Sequence, residues 1–178
     1  MNMCKIILET ERLILREMAD SDFEAVKRFL GDRDIMQHYP YTFDDERIAN
    51  WIKRNRERYK RDGFGLWAVI LKENGELIGD CGLTLQNIEG EMLPEIGYHI
   101  CREHQHKGYA SEAAAACIDF AFSRYDFPTV YSYMKYTNVA SYSTAMRCGM
   151  KFIKEYDDPD NVITKVYGIS REEWAANT

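Results

Sequence analysis

Between a run rich in β formers, residues 93–101, and a run with small and apolar residues at helical spacing, residues 110–123, stands the segment Glu103-His104-Gln105-His106-Lys107-Gly108-Tyr109-Ala110-Ser111. Its composition suits the binding of a phosphate. A turn that opens a helix presents backbone N–H groups with no intrahelical partner at the positive end of the macrodipole, a ready seat for a pyrophosphate. Gly108 lets the backbone approach closely, and Ala110 is small enough not to block it. Lys107 either adds a charge at a phosphate or stands in solvent.

The remaining reactive side chains point to fewer possibilities. His38, His99, His104 and His106 fall on a loop, a strand and the phosphate turn without paired helical spacing, so no metal centre is expected, although His99 or His104 can serve as a proton shuttle. Cys4, Cys81, Cys101, Cys117 and Cys148 are odd in number and lack metal-ligand spacing, and no Cys/His/Asp grouping supports a covalent acyl-cysteine. They read as reduced thiols in or near the core. A net charge of −6 argues against a nucleic-acid partner bound through a basic face. The basic run Lys53, Arg54, Arg56, Arg58, Lys60 and Arg61, interspersed with Glu57 and Asp62, reads as a solvated helix face.

The elements that position these groups follow from periodicity. At 178 residues and 46% apolar composition, one domain over residues 1–178 is expected. No stretch approaches a membrane span and the first residues lack a signal-peptide core, so the expected setting is cytoplasmic, with no membrane partner. A first strand lies within Ile6 to Glu17, and Asp20-Ser21-Asp22 offers caps for a helix ending at Gly31. Residues 36–43, aromatic and interrupted by Pro40, form a loop that either walls an acceptor site or covers the core edge. Asp44-Asp45 caps a helix to about Arg61. Strands at 66–71 and 77–85 pair about Asn74-Gly75, and Glu89-Gly90-Glu91 turns the chain into the strand 93–101. After the phosphate turn come a helix, a parallel strand 129–135, a helix from Asn138 to Gly149, and a hairpin of strands 150–156 and 162–169, with Trp174 packing the tail.

This order resembles the GNAT fold of the N-acetyltransferases, an α/β (α+β) architecture in which a central mixed, mostly antiparallel twisted sheet of about seven strands is flanked by about four helices. Three segments carry the resemblance. Thr10-Glu11-Arg12-Leu13-Ile14-Leu15-Arg16 is similar to the opening of the RimJ/RimL-type subgroup, Gln105-x-x-Gly108-x-Ala110 to the acyl-CoA pyrophosphate loop, and Asn138-x-x-Ser141 with Gly149-Met150 to the second cofactor segment.

The resemblance implies an acetyl-CoA-dependent enzyme that acetylates a primary amine (a protein N-terminus, an antibiotic or a small metabolite) by direct attack in a ternary complex. The cofactor arm is then expected to pair with the backbone of Tyr98, His99 and Ile100, and the diphosphate to lie at Gln105, His106, Lys107, Gly108, Tyr109, Ala110 and Ser111. Asn138 grips the arm, Ser141 contacts the cofactor or its sulfur, and Glu95 is the candidate general base, its alternative role being to hold a neighbouring group. Ala145 stands where many members carry a tyrosine acid, so that role is not carried over, and Tyr136 and Tyr142 are the nearby substitutes. Glu95, Asp44, Asp45, Asp157, Asp158 and Asp160 lean toward a cationic acceptor. The rival reading is a non-catalytic acyl-CoA sensor, and a homodimer is compatible with either.

Overall fold

The computed structural model describes residues 4–178. One sheet of eight strands runs β1 (Ile6–Glu9), β2 (Leu13–Arg16), β3 (Leu66–Leu71), β4 (Leu77–Ile88), β5 (Glu91–Ile100), β6 (Thr129–Lys135), β8 (Val162–Ser170), β7 (Lys151–Asp158) in spatial order. Every neighbouring pair is antiparallel except β5 and β6. The helices are α1 (Phe23–Leu30), α2 (Asp45–Arg61), α3 (Tyr109–Arg124), α4 (Val139–Arg147) and α5 (Arg171–Ala176). Among the described residues, no helix is long and apolar enough to cross a membrane.

Strand alternation sorts the core into two layers. From β3, Trp67, Val69 and Leu71 face a cluster with Leu13, Leu15, Leu83, Ile96 and the α3 residues Ala113, Ala114, Cys117 and Ala121. Leu66, Ala68 and Ile70 face the opposite cluster, where Val26, Phe29 and Leu30 of α1 meet Ile48 and Ile52 of α2. The α3 alanines bring that helix close to the sheet.

Three details differ from the sequence expectations. The first strand is a hairpin: Thr10 Oγ1 accepts the Leu13 N–H at 3.0 Å and Thr10 N–H bonds to Leu13 C=O at 2.9 Å, folding the chain without a glycine. This makes eight strands instead of about seven. Asp22 does not cap α1 through its side chain, because Arg16 holds that carboxylate in a fork with both contacts at 2.8 Å. Beyond β8, Ser170 and Glu173 form a capping box that starts a fifth helix, which carries Trp174.

The feature that shapes the site is the junction of β5 and β6. Their pairing is confined to Glu95↔Tyr131, with Ser132 Oγ donating to Ile96 C=O at 3.1 Å just beyond it. β5 remains fully paired with β4, and β6 with β8, so the two strands part like a V beyond Gly97. Enlarging the α3 contact should pry at this arrangement: Ala121→Leu is expected to lose about 1–3 kcal/mol through overpacking. Urea denaturation checks this, and wild-type stability would contradict the close helix approach.

Candidate active site

A cavity of about 1190 Å³ occupies the opening of the V. At one end lies the turn before α3. Gly108, the N-cap of α3, has φ 82° and ψ 4°, and His106 also has a positive φ of 60°. A left-handed histidine costs roughly 1 kcal/mol or more, so this turn is held by its surroundings. Among the described residues, the backbone N–H groups of residues 106–111 have no hydrogen-bond acceptor, and the first helical bond runs from Glu112 N–H to Gly108 C=O at 3.0 Å. His106, Gly108, Tyr109, Ala110 and Ser111 all line the cavity. The chain therefore offers a ring of free donors at a helix start, the arrangement that accepts a diphosphate.

The β1–β2 turn fastens this loop. Glu112 accepts from Thr10 Oγ1 at 2.6 Å, Arg12 N–H at 2.9 Å and Arg12 Nε at 2.7 Å, while Arg12 Nη1 bonds to Lys107 C=O at 2.9 Å. The Arg12 guanidinium also lies 4.3 Å from the Tyr109 ring centroid. Lys107 itself is exposed and does not line the cavity, and its backbone carbonyl is the group the clasp holds. Gln105 lines the cavity and donates from Nε2 to Ile100 C=O at 3.0 Å, closing the end of β5 onto the turn.

On the opposite wall, Asn138 caps α4 by accepting Ser141 N–H at 3.2 Å, which leaves its amide NH₂ as a donor. Tyr98 reaches across the V and donates its hydroxyl to Ser141 C=O at 2.6 Å, while Ser141 Oγ lies 3.5 Å from the Tyr98 hydroxyl oxygen. Burial pushes the Tyr98 phenol well above its ordinary range. Ala145 is packed in the core, and neither Tyr136 nor Tyr142 lines the cavity. Tyr142 is stacked on Tyr167 instead, at 5.8 Å between ring centroids.

At the other end of the cavity, Glu95 is 8% exposed and accepts Thr84 Oγ1 at 3.0 Å. Burial raises its carboxyl to about 7, against the opposing pull of the Thr84 hydrogen bond and of His99 and Arg58 nearby. Gly97 keeps the floor beside it open, since a Cβ there would meet Glu95 Oε2 at 3.2 Å. His99 lies on the same strand face and also lines the cavity. Its Nδ1 lies 2.8 Å from Oδ1 of the fully buried Asp80, whose Oδ2 accepts Trp51 Nε1 at 2.9 Å. A carboxylate only accepts, so Nδ1 carries a proton, and Nε2 lies within hydrogen-bond reach of the Tyr39 hydroxyl at 2.9 Å. Tyr39, Tyr41, Phe43 and Trp51 pack in tilted and edge-to-face contacts around this relay at 5.4–6.2 Å between centroids. Of the aromatic loop, Tyr39 and Phe43 pack against the core cluster, and Tyr39 and Tyr41 line the cavity.

Of the acidic residues considered for the acceptor, Glu95, Asp158 and Asp160 line the cavity, whereas Asp44 caps α2 and Asp45 pairs with Lys27. Asp157 lies outside. Sequence reasoning missed Thr84, Asp80 and the cavity-facing Arg54 and Arg58. The first two were within reach. Glu89 and Gly90, both at positive φ, form a two-residue hairpin that fixes Ile88 opposite Glu91, and this register sets Thr84 opposite Glu95 and Asp80 opposite His99.

The five cysteines are free thiols, with Cys81, Cys101 and Cys117 buried. Among the described residues, Glu76, Glu103 and His104 have their ligand atoms close enough to hold a metal, but Arg28 already pairs with both carboxylates. The Asp80 relay yields a stability prediction. His99→Leu leaves a buried carboxylate with a single donor, and a loss of about 3–5 kcal/mol is expected. Denaturant unfolding reads it; a change below about 1 kcal/mol would mean the pair is dispensable.

Residues 12–151 match the family described as acetyltransferase (GNAT) domain. The uncharacterized protein YkkB of Bacillus subtilis is 36% identical over 84% of this chain and 88% of its own. The uncharacterized N-acetyltransferase YnaD of the same organism is 30% identical over 94% and 98%. Among solved structures, an acetyltransferase from Agrobacterium tumefaciens superposes with a TM-score of 0.79 at 29% identity, covering 95% of this chain and 98% of its own. RimL, a ribosomal L7/L12 alpha-N-protein acetyltransferase in complex with coenzyme A, shares the fold with a TM-score of 0.77 at 18% identity over 93% and 98%.

Proposed function

Because the chain belongs to the GNAT family of acetyltransferases, we propose that it moves an acetyl group from acetyl-CoA to a primary amine by direct attack in a ternary complex. One observation carries this reading. A single cavity joins the free N–H groups of residues 106–111 to the buried Glu95 across the unpaired edge of β5. The diphosphate lies on those N–H groups, and the pantetheine arm runs along Tyr98, His99 and Ile100 as an added strand. Asn138 and Ser141 hold the arm from α4.

Glu95 takes the proton from the acceptor ammonium, directly or through water, and the neutral amine attacks the thioester carbonyl. A β5 backbone N–H receives the developing oxyanion, a contribution of roughly 3–4 kcal/mol in comparable sites. The second amine proton passes to water as the tetrahedral adduct collapses, and the CoA thiolate leaves beside Ser141, needing no dedicated acid near neutral pH. Family membership and a buried carboxyl raised to about 7 both favour turnover over a sensor role.

The RimJ/RimL-type assignment is supported by the opening segment, since Thr10 and Arg12 are the residues that hold Glu112 and Lys107 of the phosphate turn. A cytoplasmic setting suits five free thiols. A homodimer is supported by the edge strand β7, where Phe152 and Ile153 are exposed.

A base must be ionised to work, so kcat/KM is expected to climb with pH through about 7 and level off above it. Glu95→Gln should lower kcat by about 10²–10⁴-fold, abolish that limb and leave acetyl-CoA affinity near wild type; an unchanged pH profile would sink the assignment. Gly108→Glu forces a side chain into φ 82° and sets a negative charge at the turn. Calorimetry should detect no acetyl-CoA binding to this variant, and normal binding by a folded protein would discredit the phosphate turn.

A further inference from the structure

The acceptor end of the cavity carries positive charge that an ammonium alone does not call for. Helix α2 turns Trp51, Arg54 and Arg58 toward it, at i, i+3 and i+7 on one helical face. Arg12, Arg16, Arg28, Arg56, Arg61 and Arg102 each pair with a carboxylate, whereas among the described residues Arg33, Arg47, Arg124, Arg147 and Arg171 stand without one outside the Glu95 end. No described carboxylate lies within ion-pair distance of Arg54 or Arg58. Arg58 is half-buried, and its Nη1 bonds only to the neutral Asn55 Oδ1 at 3.1 Å. Burial, with Arg54 and Arg61 adding like charge, pushes the guanidinium below its usual range. A guanidinium does not give up its proton, so the remedy for a half-buried unpaired one is an anion.

Glu95 stands in the same cavity. It and Arg58 stabilise each other's charge without forming an ion pair, so their charged atoms are more than 4.0 Å apart. A carboxylate base and an unpaired guanidinium held apart across a gap are complementary to a molecule with both signs of charge. On the far rim, Asp158 already accepts Thr164 Oγ1 at 2.7 Å and Asp160 N–H at 2.9 Å, and Asp160 is exposed on the turn between β7 and β8. Gln86 and Asn87, the β4 groups nearest this end, are neutral.

We propose that the acceptor is a zwitterion, an amine bearing an anionic group a few bonds from the reacting nitrogen, and that Arg58 with Arg54 binds this anion while Glu95 receives the ammonium. A free amino acid or a small amino-carboxylate metabolite has this chemistry. The lean toward a purely cationic acceptor, drawn from acidic composition, is thereby reversed. The proposal rests on the cavity being the acetyl-acceptor site, and it gives the basic run of α2 a job that a solvated face does not have.

Two measurements test it, and they separate its failure from failure of the amine-acetylation reading. The first follows acetyl-CoA turnover with glycine, serine, methionine and phenylalanine, each beside its primary amide and its decarboxylated amine, and with phosphoethanolamine as the phosphate counterpart. The anionic amines should be preferred by on the order of tenfold to a hundredfold in kcat/KM, mostly through KM. The preference should vanish in Arg54→Gln/Arg58→Gln, and Arg58→Lys should retain part of it. The second titrates the corresponding N-acetylamino acids and their amides into the CoA-loaded protein by calorimetry, which needs no turnover. The acids should bind more tightly than the amides by on the order of tenfold in wild type and equally in the double variant, with the exposed Arg54→Gln alone showing a partial loss should Arg58 substitutions unfold the chain.

Amides and simple amines turned over as well as the acids would overturn the proposal while leaving amine acetylation standing. Arginine-dependent binding of the acids with no turnover of any amine would support the anion site and contradict the acetylation reading. Absence of any acid preference in both measurements would overturn the zwitterion assignment.

Discussion

Everything at this site depends on two parallel strands that pair once and then part. Glu95↔Tyr131 is the whole register between β5 and β6, while each strand is completely paired on its other side. A sheet edge exposed in the interior of a fold is unfavourable, because buried backbone groups demand partners. Here the cost is contained by side chains: Ser132 Oγ takes Ile96 C=O, Gln105 Nε2 takes Ile100 C=O, and Tyr98 bridges to α4. What remains open along β5 is a length of edge that an extended, amide-bearing chain can pair with. The parting also leaves Glu95 at the vertex of the V, where burial is deep enough to hold its carboxyl near 7.

The two ends of the cavity work by different physics. The turn before α3 offers backbone donors and the helix dipole, with the loop braced by Thr10, Arg12 and Glu112. This explains why a segment at the start of the chain and a loop about a hundred residues later belong to one signature: they are two halves of one clasp. At the Glu95 end, side chains do the work. Thr84 holds Glu95, and Tyr39, His99, Asp80 and Trp51 form a separate hydrogen-bonded chain inside an aromatic wall, which fixes their orientations before any ligand arrives.

The order of elements was legible because β alternation, the Asn74-Gly75 and Glu89-Gly90 turns and the small-residue face of α3 are local signals. The β1–β2 hairpin was not, since Thr10 makes its turn with a side-chain hydrogen bond and no glycine or proline marks it. The phosphate turn was read from its residue types and the α4 start from the family resemblance, whereas the hold of Arg12 on the Lys107 carbonyl joins distant segments and leaves no local trace. The contact between Tyr39 and His99 joins an irregular loop to a strand and has no periodic trace. Arg54 and Arg58 were hidden for another reason: a polar helix stripe looks the same whether it borders bulk water or a wet cavity.

The central claim is that acetyl-CoA lies in the V, on the free β5 edge and the turn before α3. Amide hydrogen exchange followed by NMR, with and without acetyl-CoA, tests it residue by residue. New protection is expected to concentrate at residues 97–100 and 106–111, with the β7–β8 hairpin unchanged. Saturating acetyl-CoA that leaves both stretches exchanging as before, or protects only surfaces away from them, would contradict it.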